Sequence, residues 1–199
     1  MAKKEKRVPL REAAEQVRIT GVRLALMHLA FSKVLVEELG EKKGKETIVK
    51  AMIEYGRRVG ERNKAGHQDL PFYGFHDTVR YGEQEVVDAR EKTTSSEEKI
   101  DYSRYRVHGC ILAKTFREYG EQELGCLYCY VDAAKSMASD PDKKLTHTAC
   151  EVIGDSYCAF QLTSTTDEER IQFKSGDTHW AKVDPILIKG SKMDKDRKP

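Results

Sequence analysis

Residues 145–163 read LTHTACEVIGDSYCAFQLT, and this stretch decides the fold class. Two runs rich in strand-forming residues flank Gly154-Asp155, a spacing that predicts a β-hairpin. Glycine at the first central turn position suits a two-residue type II′ turn. With that turn Cys158 faces Glu151, Phe160 faces Ala149 and Leu162 faces His147. One face then carries Leu145, His147, Ala149, Glu151, Cys158, Phe160 and Leu162, mostly apolar and so turned toward a core. Glu151 and His147 are the exceptions. Buried ionisable groups beside a thiol have shifted pKa values and mark candidate chemistry. The plainer readings put Glu151 at the sheet rim and make His147 a satisfied core histidine.

Upstream the pattern is helical. Leu10, Ala14, Val17, Gly21, Leu24, His28, Phe31 and Leu35 recur at alternating steps of four and three, which predicts a helix over 9–39 ended by Gly40. A charged turn is expected at Glu41–Lys45, then a second helix on Ile48, Met52, Tyr55 and Val59 to about Lys64. Helices so closely joined form an antiparallel pair. Residues 66–82 mix Gly and Pro with aromatics and read as a loop or short helix. Residues 83–99 read as a polar linker, 100–107 as a strand, and Cys110–Tyr119 and Gln122–Ala138 as helices. The fold class is therefore α+β: an N-terminal antiparallel helix pair, then a small antiparallel sheet with two further helices. Residues 1–8 form a basic tail and 189–199 a flexible tail around one domain, 9–188. That domain divides into a helical hairpin (9–65) and a cysteine-containing core (100–163).

The chain has 199 residues, room for about one domain. Its charged fraction of 34% is balanced, with 35 Lys and Arg against 33 Asp and Glu. Nucleic-acid binding needs clustered excess cation, so no nucleic-acid partner is expected. The basic groups at Lys3–Arg7 and Arg57-Arg58 are short and surrounded by Glu. No uninterrupted apolar run approaches the length of a membrane helix, and the basic start lacks an apolar segment behind it, so no membrane partner and a cytoplasmic location are expected. Five cysteines, an odd count, suit free thiols better than a fully paired disulfide framework. The long stripe of residues 9–39 leaves room for a homodimer.

On a helical wheel Cys126 joins Leu127, Tyr130, Val131 and Met137 on the apolar half of residues 121–138, whereas Cys129 falls on the polar half, one turn before Asp132. A thiol off the core stripe beside a carboxylate is a candidate for chemistry; a half-exposed bystander is the plain alternative. Cys126-x-x-Cys129 has a zinc-ligand spacing, but a helix turns those side chains apart by about 60°, and no second such pair completes four ligands. A zinc site would have to draw on Cys129, Cys158 and His108 or His147; the expectation is no metal and no cofactor.

Six short motifs then occur in order: His108-Gly-Cys110, Phe116-Arg-Glu-Tyr-Gly120, Glu123-Leu-Gly125, Cys129-x-x-Asp132, Leu145-Thr-His-Thr148 and Gly154-Asp-Ser-Tyr-Cys158-Ala-Phe160. Over residues 108–163 the chain resembles the L-2-amino-thiazoline-4-carboxylic acid hydrolase family. It departs from the pattern at Asp140-Pro141, where members often carry Asn-Pro. The resemblance implies hydrolytic opening of a small thiazoline ring, with release of a carbamoylated cysteine. It implies Cys129, Asp132 and Cys158 as the shared polar positions, with Cys110 next; His147 and Glu151, taken from the hairpin face, complete the candidate catalytic set, and Cys110 and His108 are candidates near the substrate. Cys129 would attack the amidine carbon, Asp132 would hold the cationic amidine or relay a proton, and Cys158 would be a second nucleophile or a packing residue. A carboxylate beside a thiol raises its pKa, so activation would fall to His108 or His147. Two other classes share parts of the pattern. The layout also resembles vinyl-reductase-like sensor domains, which bind a small ligand without turnover, and the two-Cys-plus-Asp set is similar to that of organomercurial lyases.

Overall fold

The computed structural model describes residues 8–67, 78–81, 84–86 and 105–193. Helix α1 (Leu10–Leu39) and helix α2 (Glu41–Lys64) are joined by Gly40 alone. Gly40 sits at φ 79°, a left-handed conformation that glycine adopts without strain, and its N–H bonds to the Val36 carbonyl at 2.9 Å. The two helices run back along each other as expected. Leu24–Leu35 and Ile48–Tyr55 line the two sides of an apolar cavity of about 440 Å³.

Glu41–Lys45 belongs to α2 rather than to a turn. Lys45 is 3% exposed, and its ammonium is held by Glu41 at 2.5 Å, by the Ser191 carbonyl at 2.7 Å and by Glu123. The charge at this position is thus neutralised inside the protein and does not mark a solvent-facing turn. The same contact docks residues that were expected to lie in a flexible tail. Ser191 is fully buried and its hydroxyl donates to the Leu187 carbonyl at 2.7 Å.

The expectation that no segment is apolar enough for a membrane is corrected for α1. Arg11–Leu39 contains an 18-residue window of mean hydropathy 1.5, because polar residues interrupt the apolar runs while the aliphatic residues between them keep the average high. Within it Ala25, His28, Leu29 and Ser32 are buried against the protein, whereas Met27, Phe31 and Val34 are exposed.

The sheet has five antiparallel strands: β1 (Thr78–Tyr81), β2 (Gln84–Val86), β3 (Tyr105–His108), β4 (Lys143–Ala149) and β5 (Cys158–Ser164), in the order β2-β1-β3-β5-β4. Strand pairing therefore reaches into two segments read as loop and linker. The rest of the linker and the start of the 100–107 strand lie outside the described residues. Helix α3 (Ile111–Glu118) follows β3.

The helix expected at 122–138 is three pieces: α4 (Gln122–Gly125), a 3₁₀ segment (Cys126–Tyr130) and α5 (Val131–Ser139). At three residues per turn the middle piece brings Cys126 and Cys129 onto one side of its axis, not 60° apart. After β5 come α6 (Asp167–Ser175), a 3₁₀ turn (Thr178–Val183) and α7 (Pro185–Gly190). Thr166-x-x-Glu169 forms a reciprocal capping box at the start of α6.

The site segment is anchored by close helix packing. Gly56 and Gly60 of α2 lie against Ala134 and Ala138 of α5, and a methyl group added at Gly56 would stand 2.3 Å from the Ala134 Cβ. The backbones meet because neither side carries bulk there. Gly56→Ala should therefore lower stability by about 1–3 kcal/mol, in spite of alanine's better helix propensity. Urea unfolding checks this: a denaturation midpoint equal to or above wild type would contradict the packing.

Candidate functional site

The site is built around Asp184, the residue before α7. Its Oδ1 accepts the Leu187 N–H at 3.3 Å, so Asp184 caps α7 and Pro185 occupies the first helical position. Its Oδ2 accepts two hydrogen bonds from His147 on β4, from the backbone N–H at 2.9 Å and from Nδ1–H at 2.8 Å. Asp184 is fully buried and His147 is 4% exposed. Holding Nδ1 on a carboxylate fixes the ring and turns Nε2 away from Asp184. Nε2 lies 3.6 Å from Oδ2 of Asp132, whose Oδ1 meets the Lys135 ammonium at 2.5 Å.

Three of the five sulfurs come together beside this ring. Ligating atoms of Cys129, His147 and Cys150 lie within 4.8 Å of one another. The thiols of Cys129, Cys150 and Cys158 form a hydrogen-bonded chain with Cys150 in the middle, and Cys158 Sγ also accepts the Glu151 N–H at 3.3 Å. Cys129 enters from the 3₁₀ segment and Cys158 from the first position of β5.

Cys150 reaches the cluster through an irregularity in β4. His147 pairs with Phe160, but Ala149 pairs with Ala159, so one extra residue is inserted between them. In a regular strand His147 and Cys150, three apart, would point to opposite faces. The extra residue returns them to one face.

The hairpin register is corrected at the same point. Leu145 pairs with Leu162 and His147 with Phe160, two positions from the expected alignment. The connection is not a two-residue turn. It runs from Cys150 to Tyr157, with a 3₁₀ turn at Glu151–Ile153 and Gly154 at φ 112°. The Asp155 carboxylate accepts the Cys150 N–H at 2.7 Å and braces this loop.

Of the residues singled out from the sequence, Cys129, Asp132, His147 and Cys158 converge here. Glu151 is buried, but its two carboxylate oxygens accept the N–H groups of Gly109 at 2.6 Å and Cys110 at 2.9 Å, at the entry to α3. That is a positional role: a carboxylate satisfied at a helix start. His108 packs against the Tyr157 ring, with centroids 5.6 Å apart. Cys126, off the cluster, donates to the Leu187 carbonyl at 3.6 Å. The apolar cavity between α1 and α2 touches this region only through Tyr128.

Sequence reasoning missed Cys150 and Asp184. The Asp184-Pro185 pair is a legible helix-start signal that would have placed the acid at a buried cap. Nothing in the periodicity announces the inserted residue that redirects Cys150.

The thiols are held neutral. Hydrogen bonding from Cys150 works to lower the Cys129 thiol, but burial and the neighbouring Cys126, Cys158 and Asp132 outweigh it, and Cys129 is pushed up to about 12. Hydrogen bonding to Cys129 and burial raise Cys150, and hydrogen bonding to Cys150 and burial raise Cys158. Burial pushes Cys110 up to about 12 as well.

A family model described as L-2-amino-thiazoline-4-carboxylic acid hydrolase matches residues 22–162. The match extends upstream of the motifs to include most of α1 and all of α2. It contains Cys129, Asp132, His147, Cys150 and Cys158, but not Asp184. No curated protein and no solved structure matches the chain.

The raised Cys110 thiol has a consequence for stability. In the unfolded chain it ionises near its ordinary value of 9.0, whereas the folded protein keeps the proton to about 12. The folded state binds more protons in that window, so stability falls as pH rises through it, by at most about 4 kcal/mol from this group. Urea midpoints measured from neutral pH upward should drop above about pH 9, and Cys110→Ala should drop less steeply. Equal slopes for the two proteins would contradict the assignment.

Proposed function

We propose, from the premise that the chain belongs to the L-2-amino-thiazoline-4-carboxylic acid hydrolase family, that it is an enzyme hydrolysing a small cyclic amidine by opening a thiazoline-type ring. The observation that carries this reading is the line Cys129–His147–Asp184, with Asp132 beside the imidazole Nε2. A thiol, a base and an acid that orients the base are the parts that activate a nucleophile at neutral pH.

The roles follow from the contacts. Asp132 attracts the protonated amidine, and its second oxygen is steadied by Lys135. Cys129 rests as a thiol, so its proton leaves during attack, passing to His147 Nε2 as Sγ bonds to the amidine carbon. Asp184 and Asp132 stabilise the imidazolium that forms. The ring carbon–sulfur bond then breaks, and the departing sulfur takes the proton from His147 to become a free thiol. The carbon remains on Cys129 as an S-linked isothiourea. Water adds to that carbon and gives a proton to His147, which returns it to Cys129 as the carbon–Sγ bond breaks, and the proton that the amidine brought in passes to solvent. The product is a carbamoylated amine bearing the freed thiol. Cys158 and Glu151 support this centre, Cys158 by backing Cys150 and Glu151 by capping α3.

The test is turnover of 2-amino-thiazoline-4-carboxylate and related cyclic amidines, followed by release of a free thiol. Cys129→Ser should reduce turnover at least about 10³-fold, and Asp184→Asn should lower kcat by about 10²–10⁴-fold with little change in KM. Mass spectrometry of the reacting enzyme should find the isothiourea on the Cys129 peptide. Wild-type turnover by Cys129→Ser would overturn the covalent route. Tight binding of such ligands without any ring opening would replace the hydrolase with a sensor-like module.

A further inference from the structure

That mechanism leaves Cys150 without a task. We propose that Cys129, His147 and Cys150 together bind one soft divalent cation of the zinc class, and that while it is bound Cys129 is withheld from covalent chemistry. The metal-binding half does not depend on the hydrolase reading.

The donor set supports this first. Two sulfurs and one imidazole nitrogen select thiophilic borderline metals over magnesium or calcium. Their ligating atoms already lie within 4.8 Å of one another. Tetrahedral binding with metal–sulfur bonds near 2.3 Å needs the sulfurs about 3.8 Å apart, a closure of less than about 1 Å that side-chain rotation supplies. The second support is the setting of the histidine. Asp184 accepts the hydrogen bond of Nδ1–H at 2.8 Å and is itself fully buried, which is how second-shell carboxylates orient ligating histidines. Cys158 stands behind Cys150, where it orients that thiol and accepts the Glu151 N–H.

Binding is balanced by proton release. The cation enters with two positive charges, the thiols of Cys129 and Cys150 each lose a proton, and the resulting neutral centre suits a buried position. Three protein ligands leave the fourth position to water or an added thiol.

The experiment is a cobalt(II) titration of the full chain after chelation, with alkylation by iodoacetamide as a second readout. The wild type should take up one equivalent, with sulfur-to-cobalt charge-transfer absorption and the visible bands of four-coordinate cobalt. Cys150→Ser and Cys129→Ser should each weaken binding at least 100-fold, Asp184→Asn by about 10–100-fold, and Cys126→Ser should not change it. Either serine variant suffices provided its near-ultraviolet circular dichroism is unchanged. Zinc should also protect Cys129 from alkylation, and Cys150→Ser should lose that protection. Absence of the charge-transfer band, or a band indifferent to Cys150 and Cys129, would overturn the site. Alkylation of Cys129 at an unchanged rate with metal bound would overturn the withholding. Neither readout uses turnover, so failure of the hydrolase reading would leave both interpretable.

Discussion

A single buried carboxylate holds the site together. Asp184 has no contact with solvent, and an isolated charge there would be strongly unfavourable. Three N–H groups offset that cost: one from the first turn of α7 and two from His147. Those bonds join the C-terminal helix to a β-strand nearly forty residues earlier in the chain. They also settle which imidazole nitrogen is protonated. If the acid were lost, the ring orientation, the end of β4 and the start of α7 would lose a common anchor.

The sulfur cluster shows the opposite electrostatic design. Its thiols are raised by burial and by one another, and Cys129 also by Asp132. Each therefore favours its protonated form. A reagent that arrives with positive charge, whether a protonated amidine or a metal ion, removes the penalty on the thiolate as it enters. The centre is thus quiet at rest and responsive to cations, which a permanently ionised cysteine would not be.

Much of this was legible because period and spacing survive error. The stripe from Leu10 to Leu35 predicts α1 almost to the residue. The hairpin alignment was off by two as far as His147, and a shift of two keeps side chains on their faces, so Leu145, His147 and Cys158 are buried as expected. Leu162, however, is exposed, and the inserted residue pairs Ala149 with Ala159, off that face. Cys129 and Asp132 were drawn together by helical spacing, which holds well enough through the 3₁₀ segment. Other features were hidden for physical reasons. Lys45 reads as a surface charge because nothing local announces the carboxylates and carbonyl that enclose it. Asp184 acts across a distance in sequence that no local pattern spans. The winding of Cys126–Tyr130 depends on packing rather than on composition, since the same residues would also suit an ordinary helix.

The pairing irregularity at the end of β4 sets different tolerances for two kinds of genetic change. Replacing Thr148 or Ala149 with another residue alters one side chain and leaves the count intact. Deleting either one removes the inserted residue but leaves His147 and Cys150 two apart, which a regular strand still places on one face. Descendants of this chain can therefore lose a letter between the histidine and the cysteine and keep the pair together, whereas a replacement that irons out the kink at the present length would part them.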